Sequence, residues 1–469
     1  MNKLFAVLAV LFTLSAYGSY PALGNWDPAS IADFPDHNEA VENNPGMEAM
    51  IKAGERLFSA HFNINDGASR PSATGDSKPT PREPRAIGEF TRASGPDATS
   101  CAGCHNQPKA GGSGDYPANV FVGAQFLDPP ASAIEAMVTN ERNTTNIFGA
   151  GAIEALAKEM TLELFRLRDA GLKEAKRTGK DVAVRLSAKG IDFGNIIARK
   201  DGSYNTSGLH GCDPDLVIKP FGWKGVAISL REFTIAALNQ HNGMQAIERF
   251  GWDRTGQTDF DGDGVENEFT IGQVSALVLF QASLQAPSVG DGGNTPAGKA
   301  AKAGKALFGK IGCGQCHAAG MRIDNPVFEE PNALNRPGSL IPESGVEILK
   351  LPIPAPAKPG GLRRFPDGSI AVDAYTDLKR HKMCDESDRF LCNERIRQDN
   401  VPTDEFLTPK LWDLATSAPY CHRGDCSTIS EAIIHHAGEG AEARKNFMAL
   451  PDKGKRDVIA FLLTLGRED

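Results

Sequence analysis

The chain has 469 residues, enough for two or three domains, and its formal net charge of −9 argues against nucleic acid as a partner. Residues 1–24 carry a positive charge at Lys3, continue with an apolar run from Leu4 to Ala16 and end in small residues. This pattern predicts a signal peptide for export, and a single membrane anchor is the alternative. No later stretch is long and apolar enough to cross a bilayer. We therefore expect a periplasmic or otherwise exported mature protein without a membrane span, in a compartment where disulfides form.

Two short motifs of the form Cys-x-x-Cys-His are the most informative feature of the sequence. Their residues are Cys101, Cys104 and His105 in the first copy, and Cys313, Cys316 and His317 in the second. Cysteines three positions apart can form thioethers to the two vinyl groups of one porphyrin, and the following imidazole then binds the iron. A redox dithiol or a zinc site would not require a histidine directly after the second cysteine, twice. The motifs therefore predict two covalently bound haem c groups.

Matching segments surround the two motifs, which indicates an internal duplication. A short segment with Leu-Phe precedes each motif, at 53–62 and 303–312, and an apolar helical segment follows each, at 274–284 and 457–465. We expect a mainly α-helical fold with two cytochrome c-like haem domains in tandem. The predicted domains are 25–290 and 291–469, and the first carries an inserted α/β segment at 152–220.

A further pairing between the halves points to a second ligand for the second iron. Residues 223–244 align without a gap with 422–440, and each stretch is typical of a turn followed by an amphipathic helix. On the later helix His436 shares the apolar stripe, whereas the adjacent His435 faces away from it. We expect His436 to face inward and to bind the second iron opposite His317. A buried histidine without a metal is the alternative.

Three further motifs resemble those of a known family. They are "RNTTNIFGAG" at 142–151, "FGWKG" at 221–225 and "APYCHRG" at 418–424. Together with the two haem motifs they resemble the bacterial di-haem cytochrome c peroxidases, especially their branch of di-haem oxidoreductases, over essentially the whole mature chain. In classical members a methionine that binds the iron follows the histidine of the turn that corresponds to 418–424 by fourteen residues. That histidine is His422 in this chain. The residue fourteen positions later is His436, and an imidazole ligand gives the iron a lower potential than a thioether does.

The first iron has no equally clear second ligand. The residue that aligns with His436 is Ala237, and Phe121 stands where family members often place a displaceable histidine. One turn beyond Ala237 are Gln240 and His241. We expect His241 to act as acid–base catalyst above an open iron, with Gln240 beside it. Direct ligation by His241 and a packed core histidine are the alternatives.

The resemblance also implies roles for two other residues. Trp223 matches a tryptophan that lies between the haems in the family and is thought to assist electron transfer; a core tryptophan is the alternative. Arg142 matches an arginine that could pair with a haem propionate, and a surface ion pair is equally ordinary.

Two features lie outside the haem motifs. Carboxylates alternate along a segment before Gly264 as in a calcium loop, and they are Asp259, Asp261, Asp263 and, nearby, Glu268. The twelfth position is Thr270 rather than glutamate, so a strict EF-hand fails and a metal-free turn is the alternative. Among the five remaining cysteines, 384 with 392 and 421 with 426 are the nearest pairs, although sequence cannot fix the connectivity.

Three functions remain compatible with these features. The resemblance favours an enzyme that reduces hydrogen peroxide with electrons from a small soluble cytochrome c or copper protein. A second hypothesis is a di-haem enzyme that oxidises a protein or a polymer. A third is a pure electron-transfer cytochrome in which both irons have two protein ligands.

Overall fold

The computed structural model describes residues 29, 31, 46–68, 98–120, 122–123, 125–126, 130, 139–289, 293–354 and 360–466. The predicted signal peptide, Phe121 and the predicted domain boundary at 290–291 lie outside these residues. Within the described part of the chain, no helix has the length and apolar character needed to cross a membrane.

The described residues form ten α-helices and twelve strands. The helices are α1 Gly46–Ser59, α2 Ala150–Thr178, α3 Leu230–Ala237, α4 Ile247–Phe250, α5 Trp252–Thr255, α6 Ile271–Ser283, α7 Pro296–Lys310, α8 Ile429–Ile434, α9 Ala441–Met448 and α10 Asp452–Leu462. The strands are β1 Ala118–Val120, β2 Asn140–Arg142, β3 Val182–Ala188, β4 Ile191–Ala198, β5 Tyr204–Leu209, β6 Met321–Ile323, β7 Val327–Glu330, β8 Leu349–Pro352, β9 Leu362–Arg364, β10 Ile370–Val372, β11 Arg380–Lys382 and β12 Glu405–Leu407. All strand pairs are antiparallel, in the orders β1-β2, β3-β4-β5, β6-β10-β9, β7-β8 and β11-β12.

The prediction of a mainly α-helical fold is wrong. About 36% of the described residues are helical and 17% are extended, in five sheets, so the chain is an α/β mixture. The prediction came from the segments next to the haem motifs, which are indeed helical. The long stretch between the second motif and α8 instead forms the short strands β6 to β12, because its many Gly and Pro residues interrupt helices and favour turns.

The predicted inserted segment contains both structure types. Its helix α2 begins at Ala150 and is followed by the three-stranded sheet β3-β4-β5, which packs on it. Their apolar side chains share one buried cluster with β6, β9, β10 and Trp412. The insertion therefore joins the strand-rich part of the second half rather than standing apart from it.

The helices around the two haem motifs pack in the same way in both halves. Helix α1 packs against α6, and α7 packs against α10. A Cβ atom added at Gly54 would lie 1.9 Å from the carbonyl oxygen of Ala276, and one at Gly304 would lie 1.8 Å from that of Asp457. Each first helix thus needs glycine at the same motif position, where its backbone touches the last helix. This agrees with the duplication inferred from the sequence.

Replacing Gly304 with alanine should destabilise the protein, because the added methyl group would force α7 and α10 apart. We expect a loss of about 1–3 kcal/mol, visible as a lower Tm in thermal unfolding. Gly309 lies in the same helix with open space at its Cβ position. Gly309→Ala is the matched control and should leave the Tm unchanged or raise it, since alanine favours helix. Equal losses in the two variants would contradict the packing argument.

The alignment of 223–244 with 422–440 also holds in the structure. Each turn is closed by a backbone bridge, Phe221 with Ala227 and Tyr420 with Cys426, and these bridges occupy aligned positions. The N-cap residues of the two helices also occupy aligned positions. Ser229 accepts a hydrogen bond from the backbone N–H of Glu232, and Thr428 accepts one from the backbone N–H of Glu431. The helices α3 and α8 then begin at aligned residues. The residue that corresponds to His436 is therefore Ala237.

Candidate active site

The first Cys-x-x-Cys-His motif forms a short 3₁₀ helix, Cys101–Gly103, in which the Ser100 hydroxyl accepts a hydrogen bond from the Gly103 N–H at 3.0 Å. The chain then turns back, and Nδ1 of His105 lies 3.3 Å from the carbonyl oxygen of Gly112. A histidine whose Nδ1–H donates to a carbonyl presents Nε2 to a metal. Burial lowers the pKa of His105 to about 4, so the imidazole is in the neutral form that binds iron.

The second motif repeats this arrangement with the 3₁₀ helix Cys313–Gln315. Nδ1 of His317 lies 2.9 Å from the carbonyl oxygen of Tyr375, which again leaves Nε2 for a metal. Burial lowers the pKa of His317 to about 4. Both candidate proximal histidines are thus neutral and held by the backbone.

The cysteines divide as the sequence suggested. Disulfides join Cys384 to Cys392 and Cys421 to Cys426. The four cysteines of the haem motifs form no disulfide. Their thiols are available for thioethers, so the donor set at each site fits a covalently attached haem. The ninth cysteine, Cys212, is a free thiol on the inserted segment.

His436 lies opposite His317, although helix α8 is shorter than the sequence pattern indicated. The helix ends at Ile434, and the next turn directs the two histidines apart. The ring centres of His436 and His317 are 6.4 Å apart, and Nδ1 of His436 lies 2.8 Å from the carbonyl oxygen of Ala432. Two imidazoles on opposite sides of one metal ion would have nearly the same separation between ring centres, because each contributes a metal–nitrogen bond of about 2 Å and about 1 Å from that nitrogen to its ring centre. The pair fits the two axial positions of one iron.

The adjacent His435 has a different environment. Its ring stacks on Phe390 with centres 3.7 Å apart, and Nδ1 lies 3.0 Å from a carboxylate oxygen of Asp388. It therefore points away from His317 and packs under the segment that the Cys384–Cys392 disulfide closes. A cavity of about 430 Å³ lies beside His317 and His436.

A second cavity, of about 120 Å³, lies beside His105. Ala237, Gln240 and His241 all border it, so the structure brings the predicted distal residues to the first haem motif. Gln240 is buried and His241 is half-buried. Both lie in a π-helical turn, Leu238–Asn242, that extends α3. Such turns are frequent at functional sites because the wider turn redirects side chains.

Trp223 borders both cavities, as expected of a residue between two haems. Its indole N–H donates to the carbonyl oxygen of Asn143 at 2.8 Å. Arg142 borders the smaller cavity but is buried, so the alternative of a surface ion pair is wrong. Its guanidinium binds Glu394 at 2.7 Å and Gln398 at 2.7 Å.

Sequence reasoning missed Glu394, which lies in a segment with no recognisable motif. Its buried carboxylate is surrounded by Arg142 at 2.7 Å, Lys224 at 3.5 Å and His422 at 3.8 Å. His422 and Lys224 belong to the two matched turns and so could have been noted as a pair. Nothing near Glu394 in the sequence indicates that this carboxylate would meet them. We call these four residues the interhaem charge cluster.

The predicted calcium residues also come together. Oxygen atoms of Asp259, Asp261 and Asp263 lie within 4.8 Å of one another, and Asp261 and Glu268 are buried. Burial, and then the neighbouring carboxylates Asp261 and Asp259, raise the pKa of Asp263 to about 7. Burial likewise raises the pKa of Glu268 well above its ordinary value. Thr270 instead caps helix α6, which explains why it is not glutamate.

No family model matches the chain. Two curated proteins, both named cytochrome-c peroxidase IdrP2, match the chain. The protein of Pseudomonas sp. (strain SCT) is 25% identical over 222 residues, which are 46% of this chain and 51% of the relative. The protein of Denitromonas iodatirespirans is 26% identical over 224 residues, which are 46% of this chain and 52% of the relative. The chain thus matches about half the length of these relatives. These distant matches support a di-haem cytochrome c peroxidase-like family for the chain.

Solved structures add little to this assignment. A hydrazine synthase of Kuenenia stuttgartiensis, 14% identical, aligns with 98% of this chain and 100% of its own, at a TM-score of 0.34. A MauG-like protein associated with microbial copper homeostasis, 17% identical, aligns with 58% and 79%, at a TM-score of 0.27. Both scores are too low to support an argument. The names of the curated relatives imply a haem cofactor and an oxidoreductase.

Proposed function

We propose that the chain is an exported di-haem c-type oxidoreductase that reduces hydrogen peroxide at the His105 site. The observation that carries the proposal is an asymmetry between two sites of common design. His436 faces His317 at the second site, whereas Ala237 occupies the aligned position at the first and cannot bind iron. The cavity beside His105 is bordered by Gln240 and His241, which supports an open position there.

In this mechanism bound haem supplies the electron exchange, and the side chains hold the substrate and move protons. Reduction of one peroxide to two waters needs two electrons and two protons. His241 takes the proton from the inner oxygen of bound peroxide and returns it to the outer oxygen, which then leaves as water. Gln240 can orient the peroxide by hydrogen bonding, and the apolar wall at Ala237 and Phe233 limits competing water.

Trp223 borders both cavities, so it would lie on the path of electrons from a haem bound at His317 to one bound at His105. The proposed donor is a small soluble redox protein, a cytochrome c or a copper protein. His317 and His436 would hold the iron of the second haem with two nitrogen ligands, and such a haem would supply electron exchange without a change of ligands.

Optical and EPR spectra of the ferric protein, before and after peroxide, test the proposal. We expect one high-spin and one low-spin haem, and a spectral change when peroxide is added. We also expect the protein to oxidise reduced cytochrome c in a steady-state assay with peroxide. Two low-spin irons that ignore peroxide would identify an electron carrier. A peroxide response without cytochrome oxidation would favour the enzyme that oxidises a protein or polymer.

We also propose that Asp259, Asp261, Asp263 and Glu268 hold calcium. Without a cation, the raised pKa of Asp263 means that its ionisation costs stability as the pH rises from about 4 to about 7. Calcium should therefore raise the Tm by a few degrees, and more at pH 8 than at pH 5. Calorimetry can compare Asp261→Asn with the remote surface variant Asp201→Asn. An equal calcium shift in both variants would refute the site.

A further inference from the structure

We propose that Glu394 is a positioning residue for electron exchange between the two haem sites, because it offsets the positive charge around Trp223. The inference rests on the proposed function, in which electrons pass Trp223. It concerns how the chain makes that passage possible.

The hydrogen bond of Trp223 determines which oxidised form the indole can take. Its N–H donates to the carbonyl oxygen of Asn143 at 2.8 Å, and a carbonyl cannot accept the proton. When Trp223 gives one electron to the first haem site it therefore keeps its proton and becomes a cation. One electron from the second site then restores the neutral indole. The charges around Trp223 must tolerate this transient cation.

Two cations in this region, Arg142 and Lys224, raise the free energy of a positively charged indole. Arg142 precedes the residue whose carbonyl accepts the indole N–H, and Lys224 follows Trp223 directly. Both are buried, at 8% and 0% exposure, so water screens their charges little. Lys224 donates to the carbonyl oxygen of Pro402 at 2.6 Å and lies 3.9 Å from the ring centre of Phe406. Its ammonium group is therefore fixed against Phe406, whose ring centre lies 4.4 Å from that of His422, and His422 in turn faces the Trp223 ring.

Glu394 is the carboxylate that compensates these cations. Its side chain is 1% exposed and lies 2.7 Å from the Arg142 guanidinium and 3.5 Å from the Lys224 ammonium. The amide of Asn140 donates to its other oxygen at 3.2 Å, which fixes the carboxylate further. The cluster then carries one net positive charge instead of two.

His422 adds no charge to the cluster. Its ring centre lies 6.5 Å from that of Trp223, and its Nε2 lies 3.8 Å from Glu394. Burial, and then the charges of Arg142 and Lys224, lower the pKa of His422 to about 2. The imidazole is therefore neutral, and it neighbours both the indole and Glu394 without adding to the positive charge. Two further charged groups act on the cluster. The charge of Arg423 lowers the pKa of His422, and the charge of Glu405 raises the pKa of Lys224.

The test measures the transfer rate between the sites and the yield of the tryptophan radical. Burial lowers the pKa of Lys224 to about 8, so work at pH 6 keeps it charged in the wild type. We expect Glu394→Gln to slow transfer by about tenfold or more, since the charges of Arg142 and Lys224 then lack their shared carboxylate. The yield of the tryptophan radical after peroxide, read by EPR, should fall in parallel.

Two further variants separate charge from structure. Lys224→Met removes a cation and should speed transfer, and the double variant Glu394→Gln/Lys224→Met restores the net charge and should return to within about threefold of the wild type. Glu330→Gln is the matched control, because Glu330 is fully buried and pairs with Arg231 elsewhere. It should leave the transfer rate unchanged.

Three results would overturn the proposal. They are a wild-type rate in Glu394→Gln at pH 6, a double variant as slow as the single one, and a slower rate in Lys224→Met. A wild-type protein that ignores peroxide would instead refute the proposed function. The charge effect could still be read in that case, from transfer after photoreduction of the second haem.

Discussion

His241→Ala should lower the rate of peroxide reduction by about 10²–10⁴-fold, because the variant loses the group that moves the proton between the two peroxide oxygens. The half-buried imidazole borders the same cavity as His105. Stopped-flow kinetics of the reduced protein with peroxide would measure the change. Added imidazole should recover part of the rate.

Spectra of the same variant distinguish the two other roles considered for His241. If His241 is acid–base catalyst, the ferric spectrum of the first haem is high-spin in wild type and variant alike. If His241 binds the iron, only the variant is high-spin. His210→Ala is the control, since His210 is an exposed histidine of the inserted segment, and its Nδ1 lies 3.2 Å from the ammonium group of Lys379. Equal rates in the two variants would leave His241 as a structural residue.

His436→Ala should convert the second haem from low-spin to high-spin and slow electron uptake from reduced cytochrome c by about tenfold or more. The expectation follows from the 6.4 Å separation of the His436 and His317 rings and from the backbone bonds that direct both Nε2 atoms inward. EPR of the ferric protein reports the coordination, and stopped-flow mixing with the donor reports the uptake.

The neighbouring histidine is a natural control for this variant. His435 stacks on Phe390 and pairs with Asp388, so His435→Ala should keep the low-spin spectrum. His436→Met should remain six-coordinate and raise the reduction potential, since methionine ligation raises the potential of a haem iron. A low-spin second haem in His436→Ala would show that another residue is the ligand.

Much of the candidate site could be predicted from local sequence. The Cys-x-x-Cys-His motifs span five residues each, and short-range geometry places a histidine next to its cysteines whatever the rest of the fold. The cap, turn and helix that precede His436 are also local, and they repeat at aligned positions before Ala237. The duplication therefore identified which of the two motif histidines, His105 or His317, has a second histidine opposite it in the structure, although α8 itself proved shorter than the apolar stripe indicated.

The fold class was harder to predict. The helices beside the haem motifs have a clear apolar period, but they account for only part of the chain. The short strands β6 to β12 have three or four residues each, too few for an alternating pattern to stand out. Their pairing depends on partners far away in the sequence, as when β10 lies between β6 and β9. Propensity alone does not predict such pairings.

The haem motifs and the aligned turns follow from spacing along the chain, because covalent geometry fixes what residues a few positions apart can do. The two disulfides join the cysteines that are nearest in sequence, but the structure decided their connectivity. The interhaem charge cluster does not follow from spacing, since Glu394 reaches Arg142 and Lys224 across more than a hundred residues. Burial there makes Arg142 a buried cation that requires a carboxylate, which excludes the surface ion pair that the sequence had left open beside a haem propionate. Contacts of that kind depend on how the whole chain packs, and linear spacing carries no signal for them.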